Sequence, residues 1–400
     1  MAKKIIKFVV LLMFFCLGNY VYAEEVNVTS EKYILYNMND KKIIDEKNSH
    51  EETSIASLTK IMTVIVAIEN INDYNQKVII TDDMLKDIAW DVAVTGFKKG
   101  EEVTYNDLLY AAILNSGADA VNALAISTKG NKDDFIKLMN DKVQELNLKN
   151  TRFANVVGLY DKNNYSSAYD MAQILMYALK NPKFKEVYET KEYNLSNGKT
   201  VKSTLSNYGK NSNLDLNYIM GAKTGYIHAA GYCLATTANI DGVEYLLITL
   251  NAHSRNKHIY DTDKIYKYFS SNYGYKNIVD KNDYVVKLKT KNAKEKEILI
   301  KSNSKIDKYL KNDFKKSDLI YEYNGIETVD VRLKKGDVLG TIKIYYNDEL
   351  LDEFELKFYQ TLTLSFVGFM NIYGIYILLF IFMIILIKSI INQNKKRVKK

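Results

Sequence analysis

Ser54-Ile55-Ala56-Ser57-Leu58-Thr59-Lys60-Ile61-Met62-Thr63 runs on into Val64-Ile65-Val66-Ala67-Ile68-Glu69, and the rest of the chain is organised around it. Leu58, Ile61, Met62, Ile65 and Ile68 recur at three- and four-residue spacing, which predicts a helix with one buried face. Ser57 falls at the helix start and Lys60 one turn later on the same side. A serine at that position offers its own unpaired backbone N–H to an oxyanion. A lysine held among apolar side chains loses its proton near neutral pH and serves as a base. Ser57 is therefore a candidate nucleophile and Lys60 its activator. The same spacing recurs at Ser196/Lys199, Ser254/Lys257 and Ser302/Lys305, and a serine near a helix start is ordinarily an N-cap. The apolar helix and the motifs downstream set Ser57 apart.

The 400 residues, 47% hydrophobic and 26% charged, suffice for two globular domains plus targeting segments. Net charge is +7, but nine positive charges lie at the ends, on Lys3, Lys4, Lys7, Lys388, Lys395, Lys396, Arg397, Lys399 and Lys400. The body between them is slightly acidic, which argues against nucleic acid as a partner. His50, His228, His253 and His258 form no Glu-x-x-His or His-x-x-x-His pair, so no zinc ligand set is visible and no cofactor is expected. Of the two cysteines, Cys16 lies in a segment expected to be removed, and Cys233 sits in an apolar run as a structural thiol.

Residues 1–23 have a lysine-bearing start, an apolar stretch and Val21-Tyr22-Ala23, a signal peptide cleaved after Ala23. Phe15 before Cys16 excludes a lipoprotein signal. From Phe366 to Ile387 no charge occurs, enough for a membrane span within an anchor segment at 361–391. The basic tail, 392–400, is expected in the cytoplasm, with the body on the extracytoplasmic side of the plasma membrane.

Lys32–Tyr36 and Lys41–Ile44 predict a hairpin before the Ser57 helix; Tyr232–Thr237 and Val243–Leu250 predict another late in the module. Between them Val103–Ala125, Asp133–Leu146 and Tyr169–Leu179 have helical periodicity, the last halting before Pro182, and Thr262–Phe269 closes the module as a helix. An α+β fold follows: an antiparallel sheet made from the two ends of residues 24–275, with helices packed on it. Short alternating segments in 276–360 predict a small all-β domain.

Two further motifs follow Ser57-x-x-Lys60 in order. Ser116-Gly117-Ala118 lies 59 residues on, and Lys223-Thr224-Gly225 a further 107. This is the signature order of penicillin-recognising serine enzymes. The chain resembles the low-molecular-mass penicillin-binding proteins that are serine-type D-alanyl-D-alanine carboxypeptidases. Asn155-Val156-Val157-Gly158-Leu159, Tyr165–Ala172 and Gly221–Cys233 look like further blocks of that family, and the resemblance covers roughly residues 28–275. It implies a β-lactamase/transpeptidase-like fold, stem peptides ending in D-Ala-D-Ala as substrates and β-lactam antibiotics as ligands. It also implies a small β domain and a C-terminal membrane anchor.

By that resemblance Ser57 attacks the penultimate D-alanine carbonyl, Lys60 takes its proton, and Ser116 relays a proton to the leaving D-alanine. Lys223 and Thr224 hold the terminal carboxylate, aided by Arg255, and Gly225 admits the substrate. The N–H groups of Ser57 and Tyr226 form the oxyanion hole. The family places asparagine where this chain has Ala118, which removes a hydrogen-bonding side chain from the site. A class A-like β-lactamase shares the three motifs, but the Glu-x-x-x-Asn that such an enzyme uses for deacylation is absent from Lys149–Asn155, and Glu186 and Glu189 lack the following asparagine. A non-catalytic cell-wall-binding protein that kept the fold is the other reading, favoured by Ala118 alone.

Overall fold

The computed structural model describes residues 26–86, 88–209 and 214–398. The segment expected to be a signal peptide, with Cys16, lies outside them, as do the side chains of the basic tail beyond Asn394. The chain divides into two compact units, residues 1–270 and 271–400.

The first unit opens with the hairpin β1 (Lys32–Asn37) and β2 (Lys42–Lys47). A 3-10 turn, Ala56–Leu58, then leads into α1 (Thr59–Asn70). The helices α2 (Tyr105–Ile113), α3 (Ala118–Lys129), α4 (Lys132–Glu145), α5 (Ala168–Ala178) and α6 (Pro182–Glu189) follow. The chain returns through β3 (Ile219–Ile227), β4 (Gly231–Ile240) and β5 (Val243–Ala252) to α7 (Lys257–Asn272). The five strands form one antiparallel sheet in the order β2-β1-β5-β4-β3, closed by pairing the N-terminal hairpin with the last strand, Ile34 opposite Ile248. That is the sheet expected from the two ends of the module. It leaves β3 as a free edge.

Two local expectations are corrected. The helix bearing Lys60 does not bury one face only: every residue from Thr59 to Ile68 is buried, because α2, α3, α4, α5 and α6 surround it. Val103–Ala125 is not one helix. Thr104 caps α2 by accepting from the Asp107 N–H, α2 ends at Ile113, and α3 restarts at Ala118 after Ser116 turns left-handed at φ +59°. Lys223-Thr224-Gly225 lies within β3, whose Gly225 pairs with Cys233. Pro182 fits the first turn of α6, where its missing N–H costs nothing, and the Asn181 side chain caps Lys183 and Phe184.

In the second unit, strands Tyr273–Val279 and Ile306–Lys311 pair with each other. Thr328–Asp330, Tyr284–Lys291 and Glu297–Lys301 form a second sheet. Ile320–Gly325, Val338–Tyr346 and Glu349–Lys357 form a third. Ile278, Val279, Ile300, Val329, Ile342, Ile344 and Leu356 fill the core between them. The strands at 273–279, 306–311 and 320–325 were not anticipated, since tyrosines and lysines blur their alternation. The unit ends in helix α8 (Phe366–Val398), of which Phe366–Asn392 is long and apolar enough to cross a membrane, with mean hydropathy 2.7 over its most apolar 18 residues.

Candidate active site

Ser57 is held in its 3-10 turn from two sides. On one side the loop 155–159 is drawn tight by Asn155, whose Oδ1 accepts from Val157 N at 3.3 Å, Gly158 N at 2.7 Å and Leu159 N at 3.0 Å. Gly158 lies at φ +95°, and a Cβ there would stand 2.0 Å from the Ala56 carbonyl oxygen, so only glycine lets this loop lie against the nucleophile turn. On the other side β3 passes so close that a Cβ on Gly225 would stand 3.0 Å from the Ser57 nitrogen. The turn itself is bent by Ala56 at φ +48°. Its geometry is therefore imposed by neighbours distant in sequence.

Lys60 Nζ lies 2.7 Å from Ser57 Oγ and donates to the Val157 carbonyl at 3.0 Å. The side chain is fully buried, and desolvation pulls its pKa down to about 7, with Asp119 acting in the opposite sense. A lysine so placed is half neutral at physiological pH and can take a proton from the serine.

Across the site, Lys223 Nζ donates to Ser116 Oγ at 2.9 Å and to the Thr224 carbonyl at 2.7 Å. Lys223 is also fully buried, and burial followed by the charge of Lys60 holds its pKa well below the ordinary lysine value. Ser116 is reached because the break between α2 and α3 swings it inward. The break is pinned by Asp119 in the first turn of α3, whose carboxylate accepts from Thr95 N at 2.9 Å, Gly96 N at 2.8 Å and Phe97 N at 3.0 Å. Gly117 is required there, since a Cβ would meet Thr95 Oγ1 at 2.2 Å.

Thr224 Oγ1 lies 2.7 Å from Thr204 Oγ1. Tyr226 is half exposed and stacks on Tyr232 with ring centroids 4.3 Å apart, and Tyr232 in turn faces His258 at 5.3 Å. The structure thus brings Ser57, Lys60, Ser116, Lys223, Thr224 and Gly225 together around one point, with Tyr226 next along the same strand. Arg255 is exposed on the connection from β5 to α7. Ala118 is buried as the first residue of α3, its N–H donated to Ala93 O at 2.8 Å. Cys233 is buried, with its thiol pushed up to about 12 by desolvation, as befits an inert packing residue. Among the described residues no group of three or more His, Cys, Asp or Glu side chains is placed to hold a metal.

Sequence reasoning passed over Asp119, Thr204 and Val157 as members of the site. The signal for Asp119 was an acid directly after Ser-Gly-Ala at a helix start; Thr204 carried none.

Comparison with known proteins finds relatives of both units. The family model described as D-alanyl-D-alanine carboxypeptidase matches residues 19–254, and that of the penicillin-binding protein 5 C-terminal domain matches residues 273–363. The D-alanyl-D-alanine carboxypeptidase DacF of Bacillus subtilis is 29% identical over 337 residues, 83% of this chain and 85% of that protein. The carboxypeptidase DacA of Escherichia coli K12 is 32% identical over 222 residues, so the match spans about half of each chain, 53%. Among solved structures, the carboxypeptidase DacD of Francisella tularensis shares the fold at a TM-score of 0.64 and 22% identity, over 85% of this chain and 95% of that one. The Streptomyces K15 DD-transpeptidase is 28% identical at a TM-score of 0.55, over 60% of this chain and 97% of its own.

Proposed function

The chain belongs to the D-alanyl-D-alanine carboxypeptidase family, as a serine hydrolase of the low-molecular-mass penicillin-binding type, and we propose that Ser57 is its acylated nucleophile. In this reading neutral Lys60 takes the Ser57 hydroxyl proton as Oγ attacks the carbonyl of the penultimate D-alanine of a peptidoglycan stem peptide. The oxyanion is received by the N–H groups of Ser57 and Tyr226. The peptide C–N bond breaks, and the leaving amine of the terminal D-alanine takes its proton through Ser116. Lys223 and Thr224 bind the terminal carboxylate. Water then attacks the ester, Lys60 again taking the proton, and frees Ser57. β-Lactams acylate the same oxygen.

The observation that carries this assignment is the 2.7 Å approach of a fully buried lysine to Ser57. Burial makes Lys60 a base rather than a cation, and nothing in a wall-binding protein would require it. The neighbours of Glu186 argue against the lactamase reading: its carboxylate takes the hydroxyl of Tyr110 and the ammonium of Lys183. Arg255 is retained as a carboxylate contact made only with substrate bound. We further assign 1–23 as an export signal and 361–391 as a single-pass anchor. The catalytic unit then lies outside the plasma membrane and the tail 392–400 in the cytoplasm.

The test is intact mass of the full chain in detergent after addition of penicillin, together with D-alanine release from a D-Ala-D-Ala peptide. A lasting adduct and D-alanine release, both lost in Ser57→Ala, are expected. A fleeting adduct with fast penicillin hydrolysis would instead indicate a lactamase. Retention of either activity by Ser57→Ala would sink the assignment.

A further inference from the structure

The membrane anchor is not a loose tether. Within the second unit the segment 363–371 is bonded to the turn after strand Tyr284–Lys291. Ala293 and Leu364 form an antiparallel bridge, Lys294 N donates to Thr363 O at 2.8 Å, and Thr363 N donates to Glu295 Oε2 at 3.3 Å. Ser365 N donates to Asn292 O at 3.0 Å, while Ser365 Oγ caps α8 by accepting from Gly368 N at 2.9 Å. Gly368 packs so closely that a Cβ there would stand 2.1 Å from Asn292 O. One turn on, Asn371 Nδ2 reaches Asn292 Oδ1 at 3.4 Å. Asn292 Nδ2 in turn donates to Asp330 Oδ2 at 3.0 Å, and Asp330 holds Arg332 through Nε at 2.8 Å and Nη2 at 3.1 Å. Asn292 is thus a hub joining the helix to two loops of the β-rich unit.

From these contacts we propose that the Asn292 hub locks α8 to the β-rich unit and sets the depth of the anchor. The first helical turn and a half, Phe366–Asn371, lies at the lipid headgroup layer together with Lys294, Lys296 and Arg332. The hydrocarbon begins only near Ile372. The inference rests on the anchor reading above and goes beyond it. Sinking the helix from Phe366 would draw Asn371, Asp330 and Arg332 toward hydrocarbon, at a cost of several kcal/mol. Starting at Ile372 leaves about 20 residues to Ile391, about 30 Å of helix, which matches the hydrocarbon thickness. Tyr373 then falls at the interface, where tyrosine is favoured, and Lys388 lies near enough the far end for its ammonium to snorkel out. The bilayer thereby holds the β-rich unit as a fixed pedestal, with its lysine-bearing rim against the headgroups.

The test uses the full chain in vesicles of phosphatidylcholine and phosphatidylglycerol, spin-labelled singly at Lys294→Cys, Val367→Cys or Leu379→Cys. Cys233 is buried and escapes labelling, and Cys16 is replaced by serine. Labels at 294 and 367 are expected to collide with a water-soluble nickel chelate more than with oxygen, and the label at 379 with oxygen alone. If 367 behaves as 379 does, the proposed depth is overturned while the span stands. If 379 is reached by nickel, the span reading itself fails. The lock is read separately from the distance distribution between labels at 294 and 379. It is expected to be narrow in the otherwise unchanged chain and broad in Gly368→Leu, with D-alanine release from a soluble peptide kept. A broad distribution before Gly368 is altered, or an unchanged narrow one after, overturns the lock.

Discussion

Lys60 and Lys223 are both fully buried in one site, each bonded to a serine and a backbone carbonyl, and the charge of Lys60 adds to burial in disfavouring the protonated form of Lys223. Two ammonium groups sharing a dry cavity cannot both stay charged without strong repulsion. In the proposed mechanism Lys60 is the neutral base of the pair, and the carboxylate that substrate brings compensates the charge on Lys223.

Acylation therefore rises with pH through about 7, where Lys60 loses its proton, and levels off above. Asp119 holds that value up against the larger effect of desolvation, so Asp119→Asn shifts the acidic limb to lower pH. Stopped-flow acylation by a fluorescent penicillin across pH 5–9 measures both. An acidic limb that stays in place in Asp119→Asn would remove Asp119 from the electrostatics of the site.

Lys60 also destabilises the fold it serves. Its folded pKa lies below its unfolded value, so the unfolded chain binds more protons between about pH 7 and 10.5, and stability rises with pH across that window. The penalty, up to about 5 kcal/mol from a shift of this size, is full below pH 7 and gone above 10.5. Lys60→Met abolishes activity yet stabilises the protein by about 2 kcal/mol at pH 6, after loss of the bonds to Ser57 and Val157. Near pH 10.5 the gain disappears. Thermal unfolding at the two pH values checks this; equal melting temperatures at pH 6 would contradict it.

Gly158→Ala places a methyl group 2.0 Å from the Ala56 carbonyl at a left-handed residue. The expected cost is about 3 kcal/mol or more, with acylation reduced at least tenfold as the nucleophile turn shifts. Gly198, at φ +83° with nothing within 4 Å of its Cβ position, is the control: Gly198→Ala costs about 1 kcal/mol and leaves acylation unchanged. Similar effects for the two would mean that close approach to Ala56 is unimportant.

Thr204 fixes the hydroxyl of Thr224. Thr204→Val is expected to raise KM for a D-Ala-D-Ala peptide about fivefold with kcat nearly kept, the value of one hydrogen bond. Thr204→Ser restores it. A fall in kcat with KM unchanged would point to a different role.

Much of this was legible beforehand. Three short motifs in order named the residues that meet around Ser57, and the apolar ends of the first module named the strands that pair. What escaped notice was geometry that no local pattern encodes. Helical periodicity on both sides of Ser116 does not say how the chain turns between them; the Asp119 carboxylate, gathering the N–H groups of Thr95, Gly96 and Phe97, does. Alternation alone did not mark the strand carrying Lys223-Thr224-Gly225, because glycines and a buried lysine do not alternate like a half-exposed strand.

The sequence by itself determined the reacting groups, the order of the elements and the apolar C-terminal helix, because side-chain chemistry and hydrophobic periodicity are local properties. Only the tertiary structure decided which lysine faces which serine, how far each is desolvated, and that Asn292 bonds to the first turns of α8. Those outcomes depend on contacts between segments up to 107 residues apart, and burial, which turns Lys60 from a cation into a base, is a property of the packed whole.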